Sequence, residues 1–355
     1  MTLTIPLGGI NRSGGVKTLV ALANALVARG WTVRLVAPDY ASEPPEDLSP
    51  DVEIVRLATG GLRRSLRVLA YYVRLACGVA ARGADVVLAN FYVTAYCVRL
   101  SQWWHPRAKV IYFLQGDEAE SHGRLADGPA LSRWLRFWLA RRSYRLAMPM
   151  FCVSEWLRQQ VARPDAVVVG QGIDLAVFVP ADRHVRPRVV VGTIGTRAHA
   201  KGYADVLAAL TMLSDEPVDL VVAADENVPL PAGLPVRRLQ PTTDRDMSAF
   251  YRACDVFVFA SRREGFGLPP LEAMASGCAV VTTDCGGVRD YARHDHNCLV
   301  VPVADQRAIA DAIRRLVSDA ACRARISAAA IRTAAAWPRE RFVARFLDSL
   351  SRVAG

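Results

Sequence analysis

The 355-residue chain is 52% hydrophobic and 22% charged, which excludes a disordered protein and leaves room for two domains of common size. Its net charge of +10 suits partners that carry phosphate, whereas no apolar run approaches the roughly 20 residues that span a bilayer. The N-terminal MTLTIPLGG lacks the basic and apolar regions of a secretory signal, so we expect a cytoplasmic protein. The eight cysteines form no C-x-x-C pair, which predicts reduced thiols and no zinc site.

Apolar strands alternate with helical stretches along the whole chain, a pattern typical of parallel sheets covered by helices. The first series of predicted strands is TVRLVAP (32–38), VEIVRL (52–57), ADVVLAN (84–90), KVIYFLQG (109–116) and MFCVS (150–154). The second series is RVVVGTIG (188–195), VDLVVAA (218–224), DVFVFAS (255–261), AVVTTD (279–284) and CLVVPV (298–303). We therefore predict an α/β fold of two Rossmann-like domains facing each other across a cleft, with ligands beyond the carboxyl ends of the strands.

The segment between the two series, FVPADRHVRPR, is rich in proline and charge, as a linker is. We predict an N-terminal domain over 1–177, a linker over 178–187 and a C-terminal domain over 188–337.

The most specific signal is SRREGFGLPPLEAMASG (261–277), directly after the strand DVFVFAS. Gly265 and Gly267 keep the turn free of side chains, and a helix is predicted to begin near Pro269–Pro270, because proline is favourable in the first helical turn. The N–H groups from Gly267 to Leu271, with the helix dipole behind them, predict an anion site suited to a diphosphate.

Two glutamates flank this turn, Glu264 before it and Glu272 in the first turn of the predicted helix. Carboxylates beside a phosphate site are well placed to accept hydrogen bonds from sugar hydroxyls. The alternative for Glu272 is that it only complements the helix N-terminus, which contributes about 0.3–1 kcal/mol. That alternative does not account for the surrounding glycines.

The segment resembles the E-x7-E motif of retaining glycosyltransferases with the GT-B fold, most closely glycosyltransferase family 4. Further family landmarks occur in the same order: GGV (14–16), VSEWLRQQV (153–161), GQGIDLAVFVP (170–180), IGTRAHAKGY (194–203) and YRACDVFVFAS (251–261). The resemblance implies a hexosyltransferase-type enzyme that moves a sugar from a nucleotide-diphosphate-sugar donor to a hydroxyl of a glycan or lipid-linked acceptor, with retention of configuration. Such enzymes often build cell-surface polysaccharide, lipopolysaccharide or glycolipid.

The resemblance also implies roles for individual residues of the donor loop. Glu264 contacts the sugar hydroxyls, the backbone of Phe266, Gly267 and Leu268 holds sugar and phosphate, and Glu272 binds the ribose diol. Residues 338–353 resemble the helix that crosses back in GT-B enzymes, so we expect it to pack on the first domain.

The loop GTRAHAKG (195–202) departs in part from the family pattern of an arginine after the first glycine and a lysine five positions later, which together neutralise the leaving diphosphate. Thr196 occupies the arginine position and Arg197 comes one residue late, whereas Lys201 matches. Only three of the 44 basic residues are lysines, which makes Lys201 informative. For Arg197 a donor contact and a solvated turn are both open.

The N-terminal loop GGINRSGGVKTL (8–19) fits neither a Walker A sequence, because Val16 precedes Lys17, nor a dinucleotide fingerprint. The resemblance implies that Gly14, on the acceptor side, and Gly15, on the donor side, let this loop approach the substrates.

Many relatives carry a histidine after the strand that corresponds to KVIYFLQGDEAE (109–120), close to the reacting carbon. This chain has Gln115 there, which we expect to hydrogen-bond the sugar as a catalytic residue. Asp117 and Glu118 are candidates for orienting the acceptor, or alternatively for capping a helix. Together with Lys201 and Glu264, Gln115 completes the predicted catalytic set.

Two decoys imitate metal sites. Asp244-Arg245-Asp246 spells the DxD of metal-dependent transferases but opens a helix, which favours capping. His294-x-His296 lacks further ligands. We therefore expect no metal and no cofactor.

Residues 61–145 are the most basic part of the chain, and 61–78 and 131–147 are predicted arginine-rich helices. In the second, an apolar stripe is expected to pack on the sheet while the arginines meet water; it comprises Leu131, Trp134, Leu135, Trp138 and Leu139. The alternative is that the arginines, with Trp103–Trp104, face an anionic membrane that presents a lipid-linked acceptor, a peripheral location on its inner face.

Three other functions compete with this interpretation. A GT-B nucleotide-sugar epimerase shares the fold but is not expected to have the glutamate loop. A nicotinamide-dependent oxidoreductase requires the missing glycine fingerprint, and a nucleic-acid binder fits an acidic donor loop badly. The donor sugar, the base and the acceptor are decided by contacts from variable loops.

Overall fold

In the computed structural model, which describes residues 1–10, 14–61, 63–126, 128–181, 187–231 and 235–354, all paired strands run parallel. The first sheet has seven strands in the order β3-β2-β1-β4-β5-β6-β7. They are Thr2–Pro6 (β1), Thr32–Pro38 (β2), Glu53–Leu57 (β3), Val86–Ala89 (β4), Lys109–Leu114 (β5), Met150–Cys152 (β6) and Val167–Val168 (β7). Its central strands are buried on both faces, which accounts for their continuous apolar sequences.

The strand order reverses at β1, and this reversal decides on which face of the sheet each helix lies. They are Gly14–Val27 (α1), Arg64–Ala76 (α2), Tyr92–Ser101 (α3), Ala130–Ser143 (α4) and Glu155–Gln160 (α5). Because crossovers are right-handed, α1 lies on one face of the sheet and α2, α3 and α4 lie on the other. Within that layer α3 packs against both α2 and α4.

The second sheet has six strands in the order β10-β9-β8-β11-β12-β13. They are Val189–Ile194 (β8), Val218–Ala223 (β9), Val236–Leu239 (β10), Val256–Phe259 (β11), Ala279–Thr283 (β12) and Leu299–Val301 (β13). The helices are Tyr203–Thr211 (α6), Asp244–Ala253 (α7), Leu268–Ala275 (α8), Gln306–Ser318 (α9) and Ala320–Ala335 (α10). The order reverses at β8, so the loops after β8 and β11 emerge side by side at the switch point.

The chain divides into two units, Met1–Gly170 with Val343–Gly355, and Gln171–Phe342. The division falls before the predicted boundary at 177, because Ile173 pairs with Pro338 and the segment after Gly170 is therefore tied to the second unit. Half of the predicted linker, 182–186, lies outside the described residues. The last helix, Arg339–Ala354 (α11), places Phe346 against the rings of Phe113 and Phe151 in the first unit.

The predicted fold class is confirmed, because both halves are parallel, helix-covered sheets of the Rossmann type. All ten predicted strands are present, with ends shifted by a few residues at most, and β1, β7 and β10 are additional. The first helix begins at Gly14, inside the segment 8–19 that was expected to be a loop. No helix in the described part of the chain combines the length and the hydropathy that crossing a bilayer requires.

Candidate active site

The best-defined polar cluster of the second unit joins the loops after β8 and β11. Lys201 Nζ lies 2.7 Å from Glu264 Oε1, and Ser261 Oγ donates to the same oxygen at 2.6 Å. The side chain of Glu264 is 16% exposed and that of Lys201 is 48% exposed, so the pair borders solvent. The structure therefore brings together two of the predicted catalytic residues from positions 63 residues apart.

The backbone of Gly202 approaches the backbone of Ala260 closely, and this contact brings Lys201 within reach of Glu264. Gly202 has φ of +63°, and a Cβ there would collide with the carbonyl oxygen of Ala260 at the end of β11. The N–H of Arg262 donates to the Ala200 carbonyl at 2.8 Å, which ties the two loops together. Lys201 consequently projects from a 3₁₀ turn that lies directly on the loop carrying Glu264.

The turn after Glu264 leads into α8 through Gly267, whose φ of +89° suits glycine. Its carbonyl accepts a hydrogen bond from the buried hydroxyl of Tyr291. The ring of Phe266 is 2% exposed and packs on Tyr291 and Trp337, so only the backbone of Phe266 is available to a ligand. These contacts hold the start of α8 in place.

The predicted anion site needs a correction in its details. The helix begins at Leu268, which confirms the predicted start near Pro269–Pro270, but the number of available N–H groups is smaller than expected. Because proline has no N–H, the five positions from Gly267 to Leu271 supply N–H groups only at Gly267, Leu268 and Leu271. The predicted anion site therefore has fewer N–H donors than the sequence suggested, and it centres on the Gly267–Leu268 turn.

Glu272, the second glutamate of the motif, lies mostly inside the second unit. It is 7% exposed, and its Oε2 accepts a hydrogen bond of 2.9 Å from the hydroxyl of Tyr251 in α7. Burial, followed by the nearby carboxylate of Glu272, raises the pKa of Tyr251 well above its ordinary value, so the hydroxyl stays protonated and remains a donor. The carboxylate is thus fixed by a neighbour from another helix, and its ribose contact stays a prediction.

Thr196 and Arg197 follow β8 and border a cavity of about 630 Å³ that is also lined by Tyr203, Asn227 and Pro229. The exposed Arg197 donates through Nε to the carbonyl of Asn227 at 2.9 Å. Thr196 Oγ1 accepts from the N–H of Ala198 at 3.2 Å. In this structure Arg197 is directed toward the 226–228 loop and not toward Glu264.

The predicted residues of the first unit form a second group. An ideal Cβ on Gly15, in the first turn of α1, would lie 3.4 Å from Oε1 of Gln115, so the Gln115 amide lies against this helix start. That buried oxygen has no hydrogen-bond partner among the described residues. Gly14 is the first residue of α1 and is exposed. A polar ligand at the start of α1 would therefore satisfy an otherwise unpaired amide oxygen.

Asp117 and Glu118, after β5, are buried at 4% and 6% exposure. Glu118 Oε2 accepts from the N–H of Tyr92 at 2.6 Å and from the hydroxyl of Tyr112 at 2.9 Å. Burial raises the pKa of Glu118 to about 8, although both hydrogen bonds lower it. Because Tyr92 is the first residue of α3, Glu118 caps a helix, and the capping alternative describes it better than direct contact with an acceptor.

The two segments that imitate metal sites, 244–246 and 294–296, have other contacts in the structure. Asp246 forms a capping box with Thr243 at the start of α7, accepting from the N–H of Thr243 at 2.9 Å while Thr243 Oγ1 accepts from the N–H of Asp246 at 3.1 Å. The ring of His294 contacts the backbone of Val300. The predicted capping role of the 244–246 segment is confirmed.

Sequence reasoning missed Ser261 and Tyr251, which hold Glu264 and Glu272. Ser261 follows β11 at the edge of the sheet where open α/β folds bind ligands. That position could have identified it as a candidate site residue. Tyr251 lies 21 residues before its partner on a different helix, and no local pattern links them.

The apolar stripe of α4 contradicts the expectation that it packs on the sheet. Leu131, Trp134, Leu135 and Trp138 are exposed, by 77%, 60%, 47% and 49%. The helix instead turns Ala140 and Ser143 inward, and both are fully buried. Ser143 lies 3.3 Å from the hydroxyl of Tyr112 in β5, so the small residues face the sheet and the large ones face outward.

Both units are parallel, helix-covered sheets, and a lysine–glutamate pair lies beside a glycine-led helix start at the switch point of the second sheet. These features define an α/β protein of the GT-B class. Residues 12–177 match the family model for Glycosyltransferase Family 4, and residues 188–319 match that for Glycosyl transferases group 1. The two models together cover most of the chain, which belongs to glycosyltransferase family 4.

Several characterised proteins are similar to this chain. It is 31% identical over 176 residues to the lipopolysaccharide core biosynthesis mannosyltransferase LpcC of Rhizobium leguminosarum bv. viciae, covering 43% of this chain and 50% of that protein. It is 30% identical over 234 residues to the GDP-mannose-dependent alpha-mannosyltransferase of Mycolicibacterium smegmatis, covering 62% and 60%. The chain thus spans about half to three fifths of these relatives. The structure of sucrose-phosphate synthase from Thermosynechococcus elongatus matches with a TM-score of 0.81 at 19% identity, covering 99% of this chain and 98% of that one, which supports the fold.

Proposed function

We propose that the chain is a hexosyltransferase that moves a sugar from a nucleotide-diphosphate-sugar donor to a hydroxyl of a glycan or lipid-linked acceptor, with retention of configuration. The observation that carries the proposal is the Lys201–Glu264–Ser261 cluster beside the glycine-led start of α8. A cation and N–H groups suit a diphosphate, and a carboxylate suits sugar hydroxyls. The name of the mycobacterial relative specifies GDP-mannose, which is a donor of this class.

The chemistry asks the protein for charge stabilisation and positioning. The bond between the sugar C1 and the diphosphate oxygen breaks, the acceptor oxygen bonds to C1 on the same face, and the acceptor proton passes to the leaving diphosphate. Lys201 neutralises the charge that develops on that diphosphate, helped by the N–H groups of Gly267 and Leu268. Glu264 orients the sugar, and Lys201 balances its charge before the donor arrives.

The remaining residues are assigned by their surroundings. Glu272, held by Tyr251, binds the ribose diol, and Thr196 and Arg197 border the part of the donor site next to their cavity. In the first unit Gly14 and Gly15 face the substrates, and Gln115 hydrogen-bonds the sugar. Asp117 and Glu118 order the acceptor side from within, because both carboxylates are buried. No metal or other cofactor takes part.

The acceptor belongs to the cell surface in this proposal. One relative is named for lipopolysaccharide core biosynthesis, which supports a glycan or glycolipid acceptor made at the inner face of the membrane. The enzyme would then act in the cytoplasm as a peripheral membrane protein.

Donor binding is tested by thermal shift and calorimetry with UDP-, GDP-, ADP- and dTDP-sugars, with and without EDTA. We expect one base to stabilise the protein, with no effect of EDTA. Lys201→Ala should weaken the matching nucleoside diphosphate by about tenfold or more while the monophosphate binds as before, since hydrogen bonds to charged groups contribute about 1.5–3 kcal/mol. Arg252→Ala, an exposed cation of α7, is the control.

The activity is tested by incubating the stabilising donor with candidate acceptors and assigning the anomeric configuration of the product by NMR. Transfer with retention supports the proposal. A sugar that is isomerised without any acceptor would instead identify an epimerase, and equal weakening of mono- and diphosphate by Lys201→Ala would remove the diphosphate contact.

A further inference from the structure

The layer formed by α2, α3 and α4 presents large apolar side chains to solvent. Beyond the α4 stripe, Trp103 and Trp104 directly after α3 are 83% and 67% exposed, and Leu69 on α2 is 59% exposed. Leu66, Val73 and Leu100 are also exposed. Because α3 packs against both of its neighbours, these side chains lie on adjacent helices of one layer. We call this the tryptophan–arginine surface.

The second unit lacks such a surface. In its described ranges, the large apolar side chains that are exposed are Val179, Met212 and Val303, none of them aromatic. Monomeric soluble proteins rarely expose contiguous apolar patches beyond a few hundred Å², and larger ones mark interaction sites. The concentration of exposed tryptophan and leucine on one layer of the first unit therefore indicates a binding surface.

The charge on the same layer has a single sign. The sequences of α2, α3 and α4 contain arginine but no aspartate or glutamate. Arg74, Arg141 and Arg142 are exposed, and no carboxylate among the described residues forms an ion pair with them. Elsewhere arginines are commonly paired, as in the Arg163–Asp165 and Arg289–Asp284 bridges. Arg67 of α2 is paired with Asp39, whereas Arg74, Arg141 and Arg142 leave uncompensated positive charge on the tryptophan–arginine surface.

We propose that the tryptophan–arginine surface docks on an anionic lipid bilayer. Tryptophan and leucine enter the boundary between headgroups and acyl chains, while arginines meet lipid phosphates, and both kinds of side chain alternate on these helices. A protein partner of matching size would need an apolar face ringed by carboxylates, whereas an anionic bilayer supplies both components over any area. The inference rests on the membrane location in the proposed function and is independent of the donor site.

Co-sedimentation with vesicles tests the surface directly. The full chain is mixed at low salt with vesicles of pure phosphatidylcholine, or of equal parts phosphatidylcholine and phosphatidylglycerol. We expect binding to the anionic vesicles only, decreasing as salt is raised. Trp134→Ser with Trp138→Ser, and separately Arg141→Glu with Arg142→Glu, should each weaken that binding by about tenfold or more.

A matched control separates this surface from net charge alone. Arg252→Glu with Arg332→Glu changes the charge equally, and all four arginines lie in the last turn of a helix. This control should bind as the wild type does. Equal loss in the control, undiminished binding by the tryptophan variant, or no binding of the wild type to anionic vesicles would each overturn the proposal.

Two further measurements complete the test. Donor-induced thermal stabilisation of every variant should equal that of the wild type, which shows that the fold and the donor site are intact and keeps the two proposals separable. Light scattering should find the same mass for wild type and tryptophan variant. A wild-type dimer that the tryptophan substitutions dissociate would identify the surface as a contact between copies and overturn membrane docking.

Discussion

At the scale of single residues, each glutamate of the donor motif accepts a hydrogen bond from a hydroxyl group that lies outside the motif. The spacing of the motif does not predict either hydroxyl. Ser261 holds Glu264 from three positions before it, and Tyr251 holds Glu272 from another helix. A carboxylate that must accept hydrogen bonds from a sugar or a ribose has to keep one rotamer, and a fixed donor provides that restraint.

Tyr251→Phe tests this restraint on Glu272. Losing the hydroxyl leaves a mostly buried carboxylate without that donor, and we expect the free energy of unfolding to fall by about 1.5–3 kcal/mol. Nucleoside mono- and diphosphate should both bind about threefold to tenfold more weakly, because the ribose is common to both. Calorimetry on both ligands checks this. Unchanged affinities alongside lowered stability would give Tyr251 a purely structural role.

Glu118 predicts a pH dependence of stability. Its pKa rises from 4.5 to about 8 on folding, so the folded state holds a proton over a pH range in which the unfolded state has lost it. The contribution is therefore complete below pH 4.5 and is lost as pH rises toward about 8. Stability should fall over this window in the wild type.

Glu118→Gln is the matching variant, since glutamine accepts from the N–H of Tyr92 and does not titrate. Denaturant unfolding at several pH values should show wild-type stability falling relative to the variant between pH 5 and 8, by up to about 1.4 kcal/mol for each unit of pKa shift. Parallel curves for the two proteins would contradict the raised pKa.

At the scale of elements, the active loop depends on the fit of Gly202 against the end of β11. Gly202→Ala should destabilise the protein by about 1–3 kcal/mol or more, because its φ is positive and its Cβ would meet the Ala260 carbonyl. It should also weaken diphosphate binding, since Lys201 would move away from Glu264. Thermal unfolding and calorimetry measure both effects.

Gly61→Ala serves as the control, because a Cβ there meets nothing within 4 Å and its φ is not positive. We expect it to change stability by less than about 1 kcal/mol. A Gly202→Ala protein as stable as this control would show that the two loops are not in the contact described.

The elements also show what the sequence can predict. Strands buried on both faces, such as β5 and β11, are continuous apolar runs and were predictable. Strand β10 has the sequence VRRL and only partial burial, so it lacked that signal. In α4 the periodicity correctly predicts a helix, but the assignment of its apolar stripe to the sheet is wrong, because periodicity does not reveal which face a small-residue contact such as Ala140 will bury.

Within the candidate site, the predictable part was the set of residues that follow strands. Lys201 and Glu264 follow neighbouring strands β8 and β11, and strand order brings such loops together. The direction of Arg197 toward Asn227 and the burial of Glu118 depend on contacts with distant segments. Those contacts leave no local trace in the sequence.

At the scale of the whole molecule, the donor cluster and the tryptophan–arginine surface lie in different units. The second unit contains the Lys201–Glu264 pair and the start of α8, whereas the first unit contains the tryptophan–arginine surface. This separation means that donor binding and membrane docking can be altered by different substitutions. Family membership accounts for the fold of both units.

A crystal structure of the protein with its stabilising sugar nucleotide tests the central claim most directly. The account predicts the diphosphate within hydrogen-bond distance of Lys201 Nζ and of the N–H groups of Gly267 and Leu268, with Glu264 on the sugar and Glu272 on the ribose. A nucleotide bound elsewhere in the second unit, with the Lys201–Glu264 pair untouched, would contradict it.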